Sequence, residues 1–230
     1  HGLLDRAGSF AAASGHLAAR CYREEVESAL RTPGFGGFEL LALQDFPGQG
    51  TALVGLRDSF MDSKGIVDPA EWRSFCAPVV PLAESETRTW TTDESLAATV
   101  AVANYGPDGV ADATARWRLT ADGDVVASGT AGSAAVPQGE VTDVGRLSAS
   151  LSTVDAPARV TLTVDVPAFD ATTAVDHWVF RADRRGPTAE DGVTVRRTFD
   201  EETRAALRAG EDVLLVPEHD ALAHSFPGQF

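Results

Sequence analysis

A chain of 230 residues is long enough for one large domain or two small ones, and 43% hydrophobic with 23% charged residues supplies a packed core, which excludes a disordered polypeptide. With 34 acidic against 19 basic residues the formal charge is -15, a field that repels polyanions and argues against nucleic acid and anionic membranes as partners. No run approaches the roughly 18 apolar residues of a membrane helix, so a soluble chain is expected. The sequence opens at His1 with neither an initiator methionine nor a signal-peptide pattern, and reads as an internal fragment.

From Ser9 to Arg31 the residues are rich in Ala, Leu, Arg and Glu, with opposite charges four apart at Arg20/Glu24, Arg23/Glu27 and Glu27/Arg31. This predicts a helix with the apolar stripe Phe10, Ala13, Leu17, Cys21 and Val26, stopped at Thr32-Pro33-Gly34. Gly37 to Phe46 is a short, nearly continuous apolar run of the kind found in a parallel strand buried on both faces. The loop Pro47-Gly48-Gln49-Gly50 follows. Asp68-Pro69 then opens a second helix that carries Trp72, Phe75 and Cys76, with proline at a tolerated first-turn position. Helix, buried strand, loop and helix make a piece of an α/β fold. The two cysteines, Cys21 and Cys76, fall on the two helical segments, too few for a disulfide framework or a four-ligand zinc site; they read as small buried apolar residues.

After Pro81 the period changes from helical to two. Leu96, Ala98, Val100 and Val102 share one face, as do Val160, Leu162, Val164 and Val166. Turn residues at 105–109, 121–124 and 137–139 divide the stretch into about seven strands, near 87–91, 95–104, 112–121, 124–130, 140–150, 158–166 and 174–182. That is the count of an immunoglobulin-like sandwich, with Trp117 as a core aromatic. Arg184 to Pro187 read as a linker. Beyond it lie a short strand from Val193 to Phe199, a helix capped by Asp200 and stopped at Gly210, and an apolar strand from Val213 to Pro217, the opening of a further α/β unit.

The end of the apolar run is the place where chemistry is expected, because α/β barrels assemble their active sites at the carboxyl ends of their strands. Gln44, Asp45 and Phe46 occupy that end, ahead of a glycine-rich loop. The stretch Gly36 to Phe46, with Pro47-Gly48-Gln49-Gly50 and then Asp62-Ser63-Lys64-Gly65-Ile66, resembles the eighth strand and following loop of glycoside hydrolase family 2 barrels, the family of β-galactosidases and β-glucuronidases. Arg31 to Gly55 is closer still to a bacterial subgroup described as family 2 sugar-binding or β-galactosidase-like proteins.

The resemblance implies a multidomain chain: 1–80 as the C-terminal segment of a (β/α)8 barrel, 84–183 as the immunoglobulin-like sandwich and 188–230 as the beginning of a C-terminal α/β domain. It implies a retaining hydrolase of β-linked glycosides that uses two glutamates about 5 to 5.5 Å apart, both upstream of His1, and no metal or organic cofactor. Substrate-binding positions carried over are Gln44, Asp45, Asp62 and Lys64. In the β-glucuronidases an asparagine and a lysine two residues apart bind the sugar carboxylate. Lys64, the only lysine, matches, but Asp62 stands where asparagine is found and would repel a uronate, so a neutral sugar such as galactose or glucose is implied. The strand also has Leu40 and Leu41 where the family places a tryptophan.

Plainer roles compete. Asp45 can cap the loop after it, and Lys64 can be a solvated surface charge. Glu24 and Glu25 fit solvent or ion-pair roles on a helix, and Glu39 lies inside the apolar run without a matching motif. His16, His177, His219 and His224 do not pair at ligand spacing, which argues against metal binding. Trp72, Trp90, Trp117 and Trp178 are spread one per element, the pattern of separate core plugs. The rival to a hydrolase fragment is a non-catalytic sandwich acting as spacer or carbohydrate-binding module.

Overall fold

The computed structural model describes residues 2–41, 43–49, 53–183 and 192–217. The linker at 184–187, Gly50, His219 and His224 lie outside the described residues. The described residues form two compact units, His1–Phe180 and Arg181–Phe230.

The first unit is built on a β-sandwich. Its strands are β1 (Val79–Glu84), β2 (Thr89–Thr91), β3 (Ser95–Asn104), β4 (Val110–Ala121), β5 (Asp124–Val136), β6 (Glu140–Ser150), β7 (Ala158–Val166) and β8 (Ala171–Phe180). One sheet runs β1-β3-β6 and the other β2-β8-β7-β4-β5; all pairings are antiparallel except the parallel pair of β2 with β8. Each of the seven expected strands has its counterpart, and β1 is an addition. Leu96, Ala98, Val100 and Val102 of β3 meet Val160, Leu162, Val164 and Val166 of β7 in one core. Period-two alternation puts them there, because alternate side chains of a strand share a face. Asp122 and Gly123, with φ of 50° and 92°, form the two-residue turn between β4 and β5, the conformation that Asp-Gly adopts at hairpin tips. Trp117 lies on the core side but at its margin, half-buried with its indole against Gly129.

Val80 and Leu82 of β1 point away from that core into a second cluster, where Leu30 of the long helix α1 (Ala7–Arg31) packs on them. The C-terminal half of α1 is therefore seated on the sandwich, with Ala19, Val26 and Glu27 buried. The expected apolar stripe is corrected here: Phe10, Leu17 and Cys21 are exposed, and of its five members only Val26 is buried. A stripe is covered only where another element lies against it.

The second correction concerns Gly37 to Phe46. Its described residues form no strand and are not buried on two faces: Leu41 is 90% exposed, and Phe38, Leu43 and Phe46 are about half exposed. A parallel strand needs neighbours on both sides to take its N–H and C=O groups, and here one isolated bridge, Gln44 with Arg57, is formed. No (β/α)8 barrel is present among the described residues. The short helix α2 (Pro69–Arg73) is capped by Asp68, whose side chain accepts from the N–H groups of Ala70 and Glu71. Phe75 and Cys76 follow in a turn rather than in the helix. Phe75 is buried, and burial raises the Cys76 thiol above its ordinary pKa.

In the second unit β9 (Val193–Arg196) and β10 (Asp212–Leu215) pair in parallel, joined by α3 (Glu201–Arg208). The Asp200 carboxylate caps α3 by accepting from Thr203 N–H at 2.9 Å, and that bond holds the carboxyl below its usual pKa. Gly210, at φ 84°, follows the end of the helix. Strand, helix and strand stand as expected, although β9 ends at Arg196 rather than Phe199.

Candidate functional site

Asp45 and Lys64, 19 residues apart, meet in an ion pair of 2.7 Å. The residues between them fold so that this happens. Asp45 N–H donates to Arg57 O and Arg57 N–H to Leu43 O, each at 3.0 Å, laying 43–45 beside 55–57. The approach is so close that a Cβ on Gly55 would come within 2.3 Å of the Gln44 carbonyl carbon, so only glycine fits. The chain then reverses through a tight turn: Asp58 accepts at one carboxylate oxygen from the N–H groups of Phe60 and Asp62, and Arg57 pairs again with Ser63. Met61 occupies the left-handed region at φ 69° within that turn.

The turn delivers Lys64 to three acceptors. Its Nζ donates to Asp45 Oδ1 at 2.7 Å, Gly55 O at 2.9 Å and Leu53 O at 3.2 Å, which uses all three ammonium donors. Asp45 Oδ1 also accepts Gly55 N–H at 2.9 Å. Asp45 is 8% exposed, so its charge is held by a cation and an amide rather than by water.

This clip forms one wall of a cavity of about 760 Å³. The near wall is Leu53 to Gly55, Lys64 and Ile66, and the far wall is α1, whose small residues Gly8, Ala11, Ala12 and Gly15 leave the space open. Helix and clip touch at two points. Tyr22 Oη donates to Val54 O at 3.2 Å, and Ile66 lies so close over Gly15 that a Cβ there would clash at 2.3 Å.

Of the four expected binding residues, the structure thus joins Asp45 and Lys64. Gln44 is next to Asp45 in the bridge with Arg57, its side chain exposed, and Asp62 is on the exposed turn with its backbone tied to Asp58. The sequence reading missed Tyr22 and Gly55. A tyrosine among alanines on one helix face, and a glycine eight residues after the Pro-Gly-Gln-Gly start, were the available signals, but neither has a local reason to be singled out. Glu24 and Glu39 do not reach the clip: Glu24 accepts from Arg88 at 3.0 Å, and Glu39 lies on the exposed stretch. No group of three or more His, Cys, Asp or Glu side chains comes together for a metal among the described residues.

Residues 94–181, which span β3 to β8, match the model of a family described as a domain of unknown function (DUF8488). No curated protein matches the chain. Among solved structures, the CARDB domain of the PF1109 protein of Pyrococcus furiosus, in complex with di-metal ions, is similar at 15% identity over 45% of this chain and 93% of that one, with a TM-score of 0.33. A β-glucuronidase of Parabacteroides merdae is similar at 20% identity over 44% of this chain, TM-score 0.28, and a putative β-galactosidase of Bacteroides fragilis at 12% over 43%, TM-score 0.28. The matched stretch spans 13% and 15% of those two glycosidase chains.

Proposed function

We propose that this chain is part of a retaining, family 2-like glycoside hydrolase that acts on β-linked glycosides of a neutral sugar. On this reading residues 1–80 complete a catalytic barrel, 84–183 form the sandwich behind it and 188–230 open a further α/β domain. The two glutamates are supplied by strands earlier in the parent polypeptide. The observation that supports the proposal is the pairing of the buried Asp45 with Lys64, which lines the cavity, since the two residues lie in the two separate motifs on which the family resemblance rests.

Exposed apolar side chains support it. Leu3, Leu4, Phe10, Leu17, Phe35, Phe38, Leu41, Leu43, Phe46, Leu53, Val54, Phe60 and Met61 all stand open within the first 61 residues. On this reading the earlier strands and helices of the parent polypeptide cover them.

In the proposed pocket Lys64 binds no proton in transit. It fixes the rim, and Asp45 Oδ2, which neither the ammonium nor the Gly55 amide engages, accepts a sugar hydroxyl. Asp62 disfavours a uronate and Gln44 offers an amide to a further hydroxyl. The residues of this chain bind and orient the sugar, and no cofactor is called for.

The test is hydrolysis of nitrophenyl β-galactoside and β-glucoside. The 230-residue chain should be inactive, and the polypeptide extended upstream through both glutamates active. In that longer protein Lys64→Ala should lower kcat/KM by about 1 to 3 kcal/mol of barrier. Hydrolysis by the 230-residue chain, or none by the extended one, would overturn the reading.

A further inference from the structure

Glu27 is 1% exposed, yet it is charged and lies outside the candidate pocket. Its carboxylate is held between two guanidinium groups of its own helix, Arg23 Nε on Oε1 and Arg31 on Oε2, both at 2.7 Å. Arg23 then spends its other donors on the sandwich: one terminal nitrogen donates to Ala174 O at 2.6 Å and the other to Thr173 Oγ1 at 2.7 Å, both on β8. Thr173 is itself buried. The guanidinium therefore has acceptors on three sides, set by one carboxylate.

We propose that Glu27 is a positioning residue through which the sandwich sets the shape of the candidate pocket. Apolar contacts such as Leu30 on Val80 and Leu82 hold α1 against the sandwich but permit it to slide or turn, because burial has no direction. Directed, charge-assisted hydrogen bonds fix its rotation and register. That register is transmitted along α1 to the pocket, where Gly15 sits under Ile66 and Tyr22 donates to Val54 O. The inference deepens the reading above, since the wall it sets in place is that of the proposed sugar pocket.

Replacing a buried ion pair by apolar residues of similar size commonly leaves a protein as stable as before, while removing the directional constraint. The variant Arg23→Met with Glu27→Leu tests this in the 230-residue chain by amide hydrogen exchange. Exchange is followed at Gly55, whose N–H is bonded to Asp45, and at Leu162 in the sandwich core. Gly55 should exchange at least tenfold faster relative to Leu162 than in the parent sequence. Glu27→Gln, which keeps shape and loses charge, is read by the same ratio and should move it in the same direction. An unchanged ratio, or both amides quickening in step, overturns the proposal, since either would mean that Glu27 adds stability and nothing more. The measurement needs no substrate, so it fails or succeeds separately from the glycoside assay.

Discussion

The indole N–H of Trp90 donates to Nδ1 of His177 at 3.2 Å, inside the core, tying the three-residue edge strand β2 to β8. His177 has no exposed surface. Burial first, and the nearby Arg88 charge second, push its pKa down to about 4.

The folded protein therefore keeps His177 neutral where the unfolded chain, near pKa 6.5, is already protonated. Between those values the unfolded state binds the extra proton, so stability falls as pH drops from about 6.5 to 4 and levels off below, by up to ~3 kcal/mol. Protonation also turns Nδ1 into a donor facing the Trp90 donor. Urea midpoints measured from pH 7 to pH 3.5 should show this slope, and His177→Gln should flatten it. A variant with the same slope as the parent would exclude His177 as its source.

Asn104, the only asparagine in the chain, is fully buried at the end of β3. Its amide donates to Asp108 O at 2.9 Å and Pro137 O at 3.1 Å, and its carbonyl accepts Gly106 N–H at 3.0 Å, so one side chain holds two loops. Asn104→Ala should cost about 2 to 4 kcal/mol, as three backbone groups, that of Gly106 buried, lose their partner together. Asn104→Asp should cost a similar amount, because the replacement cannot donate. Thermal and urea unfolding measure both.

Gly132 of β5 passes β6 so closely that a Cβ would lie 2.1 Å from Val144 O. The β-bulge in β6, where Val100 pairs with Gly145 and Ala101 with Asp143, leaves Val144 unpaired in the β3 register at that crossing. Gly132→Ala should force the two sheets apart at their corner and cost about 2 to 4 kcal/mol. Gly123→Ala in the β4–β5 turn, with no atom nearby, should cost less, through its positive φ alone. A reversed order in urea midpoints would show that the crossing is not tight.

Lys64→Met should leave the nearly buried Asp45 carboxylate and two carbonyls without their cation. A cost of about 1 to 3 kcal/mol is expected, discounted because the lysine side chain keeps some contact with water. Chymotrypsin should then cut faster at Phe60, on the turn that the ammonium fastens. Cleavage at the parent rate would mean that the turn stands without Lys64.

The sandwich was largely written in local sequence. Alternation in β3 and β7 names the core faces, and Asp122-Gly123 names a hairpin, because side-chain direction and turn dihedrals are properties of a few adjacent residues. Strand β1 escaped notice since Val79 to Ala83 is apolar at every position: its two faces meet two clusters, and alternation vanishes when both sides are covered. A similar, nearly continuous apolar pattern at Gly37 to Phe46 predicts a strand, yet among the described residues no partner strand lies beside it. Two largely apolar runs thus have opposite outcomes, settled by what lies alongside.

The chain alone determined where α1 runs, which residues alternate inward along the sandwich and which residues end each segment, for these follow from propensity and period. Tertiary structure alone decided the partners. Arg20 and Glu24, spaced to pair with each other, are drawn instead to Asp176 and Arg88, at 3.8 and 3.0 Å. Asp45 and Lys64 are joined only because the intervening turn closes. A charge four residues away is a local offer that any better-placed charge on another element outbids, and no stretch of sequence contains the distance between two elements.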